Sequence, residues 1–175
     1  MRRRMGVYTD EGGFDVKQLE VATYHMTIDA PIDHVFSCLA EDEHIVKWND
    51  HLIENIYEDG DASLVTGKRF ISVQQFEKKE IRVESELTYV NRPYECEVLA
   101  MTNQGISTST YVLTETPNGT DVIIRLILIP SSWLYSLYVK GFAWAIRLIY
   151  DDQFKQFRIY TEASAPKQPS VQGAE

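Results

Sequence analysis

Residues 132–162 read SWLYSLYVKGFAWAIRLIYDDQFKQFRIYTE, with Pro130 shortly before them and the polar, proline-containing stretch 163–175 directly after. An uninterrupted run of this kind is one long helix, with Ser131 or Ser132 as its candidate N-cap. Roughly 31 residues at about 1.5 Å each reach on the order of 46 Å, more than the width of a small domain. The rest of the chain has to fold around it.

The two halves of this helix differ. Tyr150, Phe154, Phe157 and Tyr160 fall on one stripe, with Asp151, Asp152, Lys155 and Arg158 elsewhere, the pattern of an amphipathic helix lying on a core. From Trp133 to Tyr150 the stripe continues through Val139, Phe142, Ala143 and Ile146. Here Leu134, Leu137, Tyr138, Ala145 and Leu148 cover the opposite side too, and Lys140 and Arg147 are the only charges. This half therefore meets apolar material in more than one direction: a core, an internal cavity, or a partner or lipid on its outer side. Lys140 and Arg147 interrupt a run already near the minimum of about 17 to 20 residues for a transmembrane span, which argues against one.

Composition bounds the rest. The chain has 175 residues, 44% hydrophobic and 25% charged, which suits one globular domain with a sizeable core. A net charge of −9 argues against a sequence-independent grip on nucleic acid, which needs a basic face. The acidic excess is concentrated between Glu41 and Asp61, read as a solvated face, with a cation or basic-partner site as the alternative. Cys38 and Cys96 stand far apart with no CxxC, so buried thiols in a reducing cytoplasm are expected rather than a disulfide or metal pair. Arg2, Arg3 and Arg4 precede a polar stretch and make an n-region without an h-region, which is not a signal peptide. Residues 1–19 are expected to be a disordered leader, 20–162 the folded domain and 163–175 a disordered tail.

Within the domain, Val21 to Asp29 alternates as a first strand. Ala30-Pro31 ends it, and Pro31 with Asp33 starts a short helix through Ala40. A second helix follows over Asp42 to Trp48. Strands are then expected over 51–58, 68–76, 80–90, 94–102, 106–115 and 121–129, separated by turn sequences such as Asn103-Gln104-Gly105 and Pro117-Asn118-Gly119. Seven strands in meander order, two short helices after the first and one long helix last make an α+β domain whose antiparallel sheet curls around the helix.

Several of these signals resemble the START-related (SRPBCC) superfamily, which includes plant pollen allergens of the Bet v 1 type and bacterial polyketide cyclase or dehydrase-type proteins. They are Ala30-Pro31 followed by Ile32-Asp33-His34-Val35-Phe36, Trp48 closing the second helix, Gly67 before the third strand, Tyr111-Val112-Leu113 before Gly119-Thr120-Asp121-Val122, and the terminal helix. The resemblance covers roughly residues 21–162. It implies a helix-grip fold, with an apolar cavity between the curved sheet and the helix, and it implies no particular reaction.

No HExxH, nucleophile elbow, P-loop or GxGxxG occurs, and the spacing of His44 and His51 suits no metal site, so neither metal nor cofactor is expected. His25 is expected at solvent and His34 on an exposed acidic turn. Alternation puts Ser107 and Ser109 on the inward face with Tyr111 and Leu113, beside Ser85 and Tyr89. Such hydroxyls need water, one another or a ligand, since each costs roughly 1–3 kcal/mol if unpaired. The implied cavity would be lined from the sheet by Tyr24, Phe70, Val83, Ser85, Leu87 and Tyr89, and further by Val98, Ser107, Ser109, Tyr111 and Leu126. Trp48, Trp133, Leu137, Phe142 and Ile146 would line it from the helices, with Trp133 near its mouth and Trp48, Trp133 and Trp144 at different depths.

Three functions follow as expectations. One is binding or carriage of a hydrophobic small molecule such as a lipid, isoprenoid or polyketide-like ring. A second is a cyclase or dehydratase with Tyr24, Tyr89 or Tyr111 as proton donor, the catalytic residues being otherwise unassigned. The third is a protein or membrane-surface module, as a homodimer or peripheral contact, using an outward row of Ile123, Ile127 and Ile129.

Overall fold

A computed structural model of the chain describes residues 18–166 except 77 and 104, apart from the side chains of residues 142, 143, 145 and 146. Its elements run β1 (Leu19–Ile28), α1 (Ile32–Ala40), α2 (Asp42–Trp48), β2 (Leu52–Ile56), β3 (Arg69–Phe76), β4 (Lys79–Asn91), β5 (Glu95–Thr102), β6 (Gly105–Thr116), β7 (Gly119–Pro130) and α3 (Trp133–Ser164). The strands form one seven-stranded sheet in the order β1-β7-β6-β5-β4-β3-β2, with every pair antiparallel. The last strand thus returns beside the first, and the chain enters α3 from the strand next to the β1 edge. The expected leader and tail fall largely outside the described residues; Leu19 already belongs to β1, and α3 runs to Ser164.

Register shifts at Glu20/Ala22, Leu52/Glu54 and Leu87/Tyr89 interrupt three ladders. Bulges of this kind bend a strand and increase its twist, which is how the sheet curves over one helix. Gly119 fixes the corner where the β6–β7 turn meets β1. Its φ of 123° lies in the region glycine tolerates, and a Cβ there would run into the carbonyl of Ile28. The same corner is tied by Thr120, whose buried hydroxyl donates to the Ala30 carbonyl at 2.8 Å.

The core sits between the sheet's β1–β7–β6 side, the α1–α2 pair and the second half of α3. α1 starts at Pro31 without a side-chain cap and turns Ile32, Val35, Phe36 and Leu39 inward at helical spacing, all buried. Phe154 and Phe157 come down from α3 onto the same cluster. Phe157 is fully buried and packs on Trp48 with ring centroids 5.0 Å apart, while the Trp48 indole N–H donates to the Cys38 carbonyl at 2.8 Å. His34 is not the exposed residue expected. The last turns of α3 lie on α1, so its Nε2 comes within 3.1 Å of the Thr161 carbonyl and 3.2 Å of the Ser164 hydroxyl.

The first half of α3 is anchored differently. The Ser132 side chain accepts from the Tyr135 amide at 3.2 Å as N-cap, and Val139 is buried. Midway, the Tyr24 hydroxyl donates to the Arg147 carbonyl at 3.3 Å, and Arg147 Nε donates to the Val21 carbonyl at 3.2 Å, at the β1 bulge. Trp133, Leu134, Leu137, Tyr138, Trp144, Leu148 and Ile149 are all exposed. No described helix is long and apolar enough to cross a membrane.

Two stability predictions follow. Phe157→Ala should cost about 3–5 kcal/mol, read from the urea unfolding midpoint, because it opens a cavity where α3, α1 and α2 meet. Gly141→Ala should raise stability by about 0.5–1 kcal/mol, since a Cβ at Gly141 would meet nothing within 4 Å and alanine removes the helix-interior glycine penalty.

Candidate functional site

Register lines up the concave face in rows that cross the strands. One runs Phe70, Ser85, Ala100, Ser107, Leu128; the next runs Leu87, Val98, Ser109, Leu126, Ala22; a third runs Val90, Cys96, Tyr111, Ile124, Tyr24. Apart from the irregularity in β4 between Leu87 and Tyr89, each strand contributes every second residue to this face, so the sequence alternation largely produces the rows. The rows are apolar apart from Ser85, Ser107, Ser109, the phenols of Tyr111 and Tyr24, and one thiol. Ser85 is buried and directs its hydroxyl to the Val83 carbonyl at 3.4 Å.

Burial governs the chemistry of these groups. It pushes the Tyr111 phenol well above the ordinary tyrosine range, with the neighbouring Cys96 and Tyr150 adding to the shift and a hydrogen bond with Ser109 opposing it. Burial likewise raises Tyr150, where α3 crosses this row, and pushes the Cys96 thiol up to about 12. Tyr24 is raised first by burial and then by its hydrogen bond and proximity to Asp151. All of these groups are neutral at physiological pH. They can donate or accept hydrogen bonds, and none is a base.

No family model matches the chain, and no curated protein does. Solved structures do. A protein of unknown function from Staphylococcus aureus aligns with a TM-score of 0.68 at 12% identity, over 85% of this chain and 96% of its own. Ara h 8.0201 aligns with a TM-score of 0.62 at 11% identity, over 85% of this chain and 99% of its own. The di-domain ARO/CYC StfQ from the steffimycin biosynthetic pathway aligns with a TM-score of 0.64 at 9% identity, over 81% of this chain and 50% of its own. The fold is the Bet v 1-like helix-grip fold.

On this Bet v 1-like frame the sheet residues expected to line a cavity come together with one exception. Tyr24, Phe70, Val83, Ser85, Leu87, Val98, Ser107, Ser109, Tyr111 and Leu126 share the concave face. Tyr89 does not: the bulge after Leu87 shifts the alternation by one, so Tyr89 pairs with Glu97 on the outer face and is exposed, while Val90 takes the inward place. Trp48 lies away from the rows, in the core under Phe157. Trp133 and Leu137 point away from the buried stripe that Val139 marks, onto the exposed side of α3. The three tryptophans therefore do not sample one cavity. Phe142 and Ile146 belong to α3, but their side chains lie outside the described residues. Tyr150 was missed, although it stands on the same helical stripe as Phe154 and Phe157.

Other polar clusters among the described residues lie where α1 and α2 meet the end of α3 and in the loop between β2 and β3. His44 Nδ1 lies 2.8 Å from the Tyr160 hydroxyl, and the buried Cys38 thiol sits 3.4 Å from His34 and 3.8 Å from His44. Glu41, Glu43 and His44 bring ligand-type atoms within 4.8 Å of one another, yet Glu41 is already paired with Arg92 at 2.8 Å. In the acidic run, Asp59 and Asp61 flank the Lys68 ammonium at 2.8 and 3.2 Å, and Asp42 accepts from Asn55 and Tyr57. Much of that run serves its own loops. His25 is exposed, as expected.

Cys38 and Cys96 are free and buried, and burial raises both thiols. At pH 8 the native protein should show no fast reaction with a thiol reagent, and both cysteines should react once it is unfolded. The unfolded chain releases its thiol protons first. The stabilisation from keeping Cys96 protonated is therefore complete below about pH 8.5 and fades as pH rises towards the folded value.

Proposed function

We propose that this protein binds or carries a hydrophobic small molecule, a lipid, isoprenoid or polyketide-like ring, between the concave face and the first half of α3. The observation that carries this reading is the set of neutral hydroxyls, Ser85, Ser107, Ser109 and Tyr111, set into otherwise apolar rows. A few oriented polar groups on an apolar wall are the composition of a small-molecule site, where apolar burial supplies affinity and hydrogen bonds supply orientation. The fold shared with Ara h 8.0201 and with the ARO/CYC StfQ supports it. The reading includes a cytoplasmic location, which the two free, buried thiols support.

The enzyme alternative, a cyclase or dehydratase, has Tyr111 and Tyr24 as proton donors. The three rows hold no carboxylate or imidazole among the described residues, and phenols raised by burial hold their protons. Binding without turnover is therefore the better-supported reading.

A fluorescent fatty-acid probe should bind saturably, and Ser109→Trp, which fills the middle row, should abolish that binding. Tyr111→Phe should weaken it by about 2- to 10-fold through one lost hydrogen bond. Absence of saturable binding with lipid and aromatic probes would overturn the carrier reading. Turnover of a polyketide-like ketone that disappears in Tyr111→Phe would replace it with the enzyme.

A further inference from the structure

Along α3, Trp133, Leu134, Leu137, Trp144 and Leu148 are each between 55 and 65% exposed. At about 100° per residue they fall in a stripe roughly 100° wide, opposite the buried Val139 and so facing away from the sheet. Gly141, where a Cβ would meet nothing within 4 Å, lies inside the stripe. The two indoles alone leave on the order of 250 Å² open, and contiguous apolar patches on monomeric proteins rarely exceed a few hundred Å². Three leucines at similar exposure roughly double that area, which brings the face towards the roughly 800 Å² that each partner buries in a standard interface.

The order of charges along the stripe says what covers it. Arg147 is not part of it, since it stands at the border with β1, where its Nε donates to the Val21 carbonyl. Lys140 flanks the stripe before Trp144 and Leu148; Asp151 and Asp152 take up its two borders after them, and Lys155 follows one turn on, all four exposed. Two acids disfavour an anionic surface here. Two cations and two acids also leave the stripe neutral in a chain whose net charge is −9, so two stripes can approach without local repulsion.

A sequence of cation, apolar centre and acid is complementary to its own reverse, which is what a two-fold interface requires. Packed antiparallel about an axis passing between residues 145 and 146, two such helices bring Lys140 of each copy level with Asp151 of the other, on the same side of the contact. Leu148 of one copy then falls between Gly141 and Trp144 of the other, where the glycine leaves room for it. A parallel pair would instead set Lys140 beside Lys140 and Asp151 beside Asp151. Asp151 also has a hydrogen bond with Tyr24, and its carboxylate has two oxygens with which to accept.

We infer that this protein forms a two-fold homodimer through antiparallel packing of the first half of α3, with Trp144 and Leu148 at the centre and Lys140 of each copy paired with Asp151 of the other. The interface lies on the side of the helix away from the concave face, so it leaves the guest site described above uncovered.

The test is light scattering of the full chain from about 1 to 100 µM, the range in which a moderately stable dimer assembles. The mass should rise to twice that of the chain. Leu148→Asp should weaken the dimer about a hundredfold or more, because it removes an apolar contact on both copies and places a charge there. Lys140→Asp and Asp151→Lys should each weaken it about tenfold, and the two combined in one chain should restore it, since the pair is then reformed with its signs exchanged. All three positions are exposed, so the far-ultraviolet circular dichroism of each variant should be unchanged. A monomer over the whole range overturns the inference, as does a dimer that Leu148→Asp and Lys140→Asp leave intact, whose interface is then elsewhere. A combined variant as weak as the single ones overturns the antiparallel pairing. Sedimentation of a monomer with phosphatidylcholine vesicles overturns it too, since the occupant is then a lipid surface.

Discussion

A seven-stranded sheet and a single 32-residue helix have to satisfy one another, and the contact that makes this possible is the clamp on the second half of α3. Phe154 and Phe157 enter a cluster built from α1, from Trp48 and from β1, β6 and β7, and the phase of the helix is set there. The helix is rigid and roughly 48 Å long, so fixing that phase also fixes which side of its first half faces the sheet. Val139 and Tyr150 turn inward with Phe154 and Phe157; Trp133, Trp144 and Leu148 turn out. The polar ties of Tyr24 and Arg147 across β1 hold the midpoint against the sheet edge.

The same division separates two kinds of polar chemistry. At the clamp, His34, His44, Cys38 and Tyr160 satisfy one another and the last carbonyls of α3, so their work is to close the end of the fold. On the concave face the polar groups are hydroxyls, which keep their protons in apolar surroundings because ionisation there is penalised by desolvation. Groups of this kind orient a guest without attacking it. Among the described residues the histidines lie on α1, α2, the turn after α2 and the outer face of β1, and one carboxylate, Asp151 of α3, stands beside Tyr24 at the end of the third row.

The architecture was legible in the sequence because alternation and helical periodicity are direct consequences of burial on one face. The expected helix over Asp42 to Trp48 coincides with α2, and the strand expected over Glu80 to Val90 lies within β4. What could not be read was local. A bulge after Leu87 reverses the facing of Tyr89, and nothing in Thr88-Tyr89-Val90 announces it, since both threonine and tyrosine suit either face of a strand. The packing of His34 depends on Thr161 and Ser164, more than a hundred residues away, and no local pattern carries that information. Trp133 and Leu137 are a different case. The stripe through Val139, Phe154 and Phe157, extended backwards, already leaves both on the opposite side, so the phase was available and the apolar character of the residues outweighed it.

That two-sidedness has a physical consequence for the helix itself. A segment apolar on both sides gains from burial on each, but the sheet can cover only one, so the other side stays a standing free-energy cost until something else covers it. Gly141 lies at the centre of this segment with no atom near enough to explain it by close packing, and a helix-interior glycine is itself unfavourable by roughly 1 kcal/mol relative to alanine. Neither feature serves the stability of the isolated fold.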